Sequence, residues 1–182
     1  MIDAKKRVMI WNTFFKLAWE QAKRLNDTGS QKKSKKKFKP LGGPLPDGKF
    51  YRLATLALCC LAVEARANHL LDELVEEGKI SKKENEAAQR LPTKYKWFLL
   101  PKLAGVNQKL DETKQPHRSI VEICRFRNSL MHVSYNSLQK KLPKKTTMLS
   151  LFEEFVKAME NMNVVLGRIK KERKKVLDIG KF

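Results

Sequence analysis

Apolar positions recur at helical spacing along nearly the whole chain. Val8, Trp11, Phe15, Ala18, Ala22 and Leu25 alternate steps of three and four, which lays them on one stripe of a helix. The run Asp27-Thr28-Gly29-Ser30 is turn-forming and ends it. A second helix is predicted over 50–77, with Gly78 as its stop. Leu53, Ala57, Cys60, Ala67, Leu71 and Leu74 form its apolar row, and Glu64 falls within that row. Ser81 and Glu84 have the spacing of a capping box that opens a short helix through Gln89. Leu91-Pro92 breaks it, and 94–100 holds another turn or two before Pro101. Pro116 fits the first turn of the next helix, which carries Ile120, Ile123, Cys124, Arg127 and Met131. Residues 136–145 form a basic, proline-containing loop. A last long helix starts near Met148, with Phe152, Phe155, Met159, Met162, Leu166 and Ile169 inward. Strand-type alternation is missing, and Asp47-Gly48 is the one hairpin-type dipeptide. The expected fold is an all-α bundle of about five to six helices.

At 182 residues the chain suits one domain, 1–182. Between 29 and 48 the composition shifts to Lys, Pro and Gly, which predicts a flexible basic connector after the first helix. Charge changes the picture most. Lys and Arg number 39 against 19 Asp and Glu, a formal +20. Such an excess draws polyanions and sets copies of the chain against one another. Nucleic acid is the expected partner; an anionic membrane surface or an acidic protein suits the same field. The run containing Lys35, Lys36 and Lys37 reads either as a solvated loop or as an arm contacting RNA. Cys59, Cys60 and Cys124 form no even disulfide set, and the adjacent pair sits in an apolar run as small buried hydrophobes. His69, His117 and His132 lack metal-ligand spacing, so neither a metal nor another cofactor is expected. Lys5, Lys6 and Arg7 precede no apolar signal core, and no membrane span is expected, which predicts a cytoplasmic protein.

Specific chemistry enters at Arg125-Phe126-Arg127-Asn128-Ser129-Leu130-Met131-His132. Asn128 and His132 are four apart and nearly share a helix face, whereas Arg127 lies about 140° round from His132. The long Arg127 side chain, or a helix end, has to bring the guanidinium back to the same cleft. These residue types suit RNA cleavage, because the 2′-hydroxyl is its own nucleophile. Histidine titrates near neutrality and serves as general base or acid. Arginine presents a planar fork of donors to phosphate oxygens as charge builds. Asn128 would position the scissile phosphate or orient the imidazole. One such histidine per chain supplies one proton-transfer group, so a two-fold dimer would give a fuller site. The structural alternative makes His132 a helix-end histidine and Arg127 a surface cation.

The segment 127–132 resembles the signature of the HEPN (higher eukaryotes and prokaryotes nucleotide-binding) family: Arg, a polar residue often Asn, then His after four to six residues. Glu64-Ala65-Arg66-Ala67-Asn68-His69-Leu70-Leu71 looks like that family's earlier long helix, with an acidic residue and a nearby Asn facing the site. The resemblance spans 50–135. It implies a helical bundle, cleavage of RNA by a homodimer whose motifs face across a cleft, and roles in defence or toxin–antitoxin systems, hence an antitoxin partner. Some family toxins carry a Tyr two residues after the motif His. Here Tyr135 comes three after His132, so control through that tyrosine is not implied.

The expected catalytic set is therefore Arg127, His132, Asn128 and Glu64, with Arg125, Tyr135, Lys35, Lys36 and Lys37 contacting RNA, Tyr135 by stacking on a base. Glu64 has its own case: a carboxylate in an apolar row must be paired or neutralised, with Arg127 or Arg66 as the expected partner. A structural ion pair explains Glu64 equally well. His69 is expected to be a surface or packing residue and His117 a solvated one. Two other functions fit the same sequence: a non-catalytic RNA- or nucleotide-binding module, and a helical protein that binds an acidic partner.

Overall fold

The computed structural model describes residues 4–27, 47–131 and 143–168. The described residues hold six helices and no strand: α1 (Ala4–Asp27), α2 (Asp47–Glu76), α3 (Lys82–Gln89), α4 (Thr93–Leu103), α5 (Arg118–Met131) and α6 (Lys145–Val165). The basic connector, apart from Asp47 and Gly48, lies outside the described residues. Asp47-Gly48, a hairpin-type pair in the sequence, instead opens α2.

α2 is the centre, touching each of the other five helices. Leu56, Cys59, Ala62, Val63, Ala67, Leu70, Leu71 and Leu74 are buried along it. The expected row is thus displaced at its start, where Ala57 is exposed and Leu53 only half-buried. By length and composition Gly48–Glu76 could cross a membrane, contrary to the sequence expectation, yet 56% of its apolar window is buried inside the fold. α1 packs on α2 through Ala18, Ala22 and Leu25, and its aromatic residues meet α6. Phe15 lies 5.9 Å from Phe155, and Trp19 meets Phe152 edge-on at 5.8 Å. Lys145 Nζ at the start of α6 donates to the Asn26 carbonyl at 2.7 Å, tying a cation to the negative end of α1.

Local signals set several helix ends. Gly78 takes φ +69°, a conformation a side chain resists, and the Lys79 and Gly78 amides donate back to the Leu74 and Val75 carbonyls. Gly167 closes α6 in the same way and so turns Arg168 back across α2, against Glu73 and Glu77. Ser81 and Glu84 form the reciprocal capping box that their spacing predicts. Two proline expectations need correcting. α4 runs through Pro101, because the ring is buried in the core even though a helical N–H is lost. Pro116 lies ahead of α5, where its carbonyl accepts from both the Ser119 amide and hydroxyl.

His117, expected to be solvated, is buried. The Trp97 indole N–H donates to His117 Nδ1 at 3.3 Å, which leaves the ring proton on Nε2 to donate to Asn161 Oδ1 at 2.8 Å. The relay joins α4, the entry to α5 and α6. Burial pushes the His117 value down from 6.5, opposed by the Asn161 bond. The unfolded chain then takes up the proton first as pH falls. The stability contribution is complete above 6.5 and is lost as pH drops towards the folded value. The urea midpoint should fall between about pH 7 and pH 5, and fall less in His117→Gln. Equal slopes in the two proteins would contradict this assignment. Asn161→Ala should cost about 1–3 kcal/mol.

A candidate RNA site beside a buried ammonium

Glu64, Asn68 and Asp72 sit four apart on α2 and form a half-buried polar ladder along one face of it. α3 and α4 lie across it. Asp72 Oδ1 accepts from Asn85 at 2.9 Å and from Gln89 at 3.0 Å. Lys96 Nζ donates to Glu64 Oε1, to Asn68 Oδ1 at 2.9 Å and to the Gln89 carbonyl at 3.2 Å. The Thr93 hydroxyl donates to the other Glu64 oxygen. The Lys96 side chain is only 1% exposed, whereas that of Glu64 is 36% exposed. Burial pushes the Lys96 ammonium down from the usual lysine value. The Glu64 carboxylate is the counter-charge that makes a buried cation tolerable.

Glu64 is therefore paired, as its place in an apolar row demands, but with neither expected arginine. Arg127 is exposed on α5. Arg66 turns to the other side of α2, where Nη2 donates to Asn163 Oδ1 at 2.6 Å. Burial and then the nearby Arg168 charge lower the Arg66 guanidinium to about 10. Its neighbour His69 is buried with Nε2 3.0 Å from Glu73, the packing alternative of the two expected for it. Sequence reasoning missed Lys96 altogether. Extending α4 back to Thr93 would have placed Thr93, Lys96, Trp97 and Leu100 on one stripe, with a lysine inside it.

Of the motif on α5, Arg125, Arg127 and Asn128 are all exposed, and Arg127 Nη1 donates to Asn128 Oδ1 at 3.3 Å. This exposure leaves the guanidinium free to meet a phosphate. One turn earlier, Cys124 meets Cys60 of α2 across the helix contact. The Cys124 thiol and then Arg127 lower Cys60, and Arg127 and Lys94 both bear on Cys124. Cys60 lies one turn before Glu64 on α2, and Lys94 lies in the first turn of α4. Tyr95 is exposed beside it, with Lys94 Nζ 5.7 Å from its ring centre. His132, Tyr135, Lys35, Lys36 and Lys37 lie outside the described residues.

Comparisons with family models, with characterised proteins and with solved structures found no match. Among the described residues no three His, Cys, Asp or Glu side chains group as metal ligands. What the structure offers is a part-exposed carboxylate held by a buried cation on α2 and α4, and, on α5, the exposed cations Arg125 and Arg127.

The Glu64–Lys96 contact has a measurable energy. Lys96→Met should destabilise the fold by about 1–3 kcal/mol by stranding the carboxylate beside apolar atoms. Lys96→Met combined with Glu64→Gln should cost less than the sum of the two single changes in a denaturant cycle. Strict additivity would show that the two side chains are not coupled.

Proposed function

We propose that this protein is a metal-independent endoribonuclease of the HEPN kind, with Arg127 holding the scissile phosphate and His132 transferring the proton. The observation that carries this reading is the exposed Arg127–Asn128 pair on α5. An exposed fork of donors suits a phosphate that gains charge in the transition state. Tyr95 adds a face on which an unpaired base can stack, and the +20 charge supplies the long-range attraction. A homodimer, and a partner protein that restrains the activity, belong to the same proposal.

Single-stranded RNA incubated with the protein in EDTA should be cut. Arg127→Ala and His132→Ala should each lower the rate by roughly 10²- to 10⁴-fold. Binding should weaken steeply as salt rises. Salt-sensitive binding without product in all three proteins would move the assignment to a non-catalytic RNA-binding module. Cleavage that requires Mg²⁺, or that persists unchanged in both variants, would overturn the proposed mechanism.

A further inference from the structure

Lys96 is the most deeply buried charged side chain among the described residues. An ammonium has three N–H donors. Here each finds its own acceptor: Glu64 Oε1, Asn68 Oδ1 and the Gln89 carbonyl. With its donors spent and its side chain 1% exposed, Lys96 reaches no substrate. Whatever it does passes through the groups it holds. Glu64 is the outward-facing member of the pair, 36% exposed, with its second oxygen fixed by Thr93. That opening lowers the desolvation cost of the pair and also leaves the carboxylate within reach of a substrate. A proton acceptor needs that opening, and it also needs to stay ionised and aimed.

We propose that Lys96 is a positioning residue, which keeps the Glu64 carboxylate ionised and oriented to take the proton of an RNA 2′-hydroxyl. The proposal rests on the ribonuclease reading above. In the step, the 2′-oxygen bonds to phosphorus as its proton passes to Glu64. The bond from phosphorus to the 5′-oxygen breaks, and that oxygen leaves with its electron pair and a proton from the general acid of that reading. Both groups then exchange protons with water, and nothing is oxidised or reduced. One chain thereby carries a base as well as an acid.

The test is the pH dependence of single-turnover RNA cleavage in EDTA by the full chain. Wild type should show a rate that rises on the acid side as one carboxylate ionises. Lys96→Met should move that limb up by about one pH unit and slow the plateau about tenfold, since the carboxylate loses its counter-charge. Lys96→Arg should keep the limb near its wild-type position, and Glu64→Gln should lose the limb with about 10²- to 10⁴-fold of rate. If Lys96→Met does not fold, Thr93→Val removes the other tie on Glu64 and should shift the limb in the same direction by less. A folded Lys96→Met or Thr93→Val with the wild-type limb and rate would overturn the positioning role while leaving the ribonuclease intact. Absence of cleavage by wild type would overturn the ribonuclease reading itself, and with it the role given to Glu64.

Discussion

The burial of Lys96 against the Glu64–Asn68 face of α2 is the contact on which the site side of the molecule depends. α2 is enclosed by five helices, and an enclosed helix must find a partner for every polar side chain it carries inward. Most of α2 meets this demand by being apolar. The ladder of Glu64, Asn68 and Asp72 meets it with partners drawn from α3 and α4. α3 buries only Ala88 in the core, so the ladder is its main hold on α2, whereas α4 also buries Trp97, Leu100 and Pro101. The ladder and this apolar packing together fix where α4 lies, with Lys94 and the exposed Tyr95 in its first turn.

Charge is distributed in a way that suits this arrangement. Cations inside the fold are neutralised or hydrogen-bonded: Lys96 by Glu64, Arg168 by Glu73 and Glu77, Arg66 by Asn163. The cations of α5 are outside, with Arg125 and Arg127 both exposed. Elsewhere on the surface Glu112 pairs with Lys94, and Glu122 with Arg118 in the first turn of α5. Exposed pairs of this sort contribute about 1 kcal/mol or less to stability.

What the sequence made legible was local. The Gly78 stop, the Ser81–Glu84 box and the inward row of the last helix from Phe152 to Leu166 each depend on residues within a few positions of one another, and each is present; Ile169 lies outside the described residues. Glu64 stood out for a physical reason, a carboxylate amid apolar positions, and it is indeed paired. Its partner was not legible because Lys96 lies 32 residues away, on a helix whose prolines made it read as a turn or two. His117 was misplaced for a similar reason: only the tertiary approach of Trp97 and Asn161 buries it. Arg127, Asn128 and Arg125 sit on the helix expected for them and are exposed.

The claim at the centre of this account is that the chain cleaves RNA by turning its own 2′-hydroxyl against the neighbouring phosphate. The most direct measurement uses a DNA strand carrying a single ribonucleotide, incubated with the protein in EDTA, with the product ends identified by mass. The account predicts one cut, immediately 3′ of that ribose, leaving a 2′,3′-cyclic phosphate. Cuts at deoxynucleotides, or ends without the cyclic phosphate from first appearance, would contradict it.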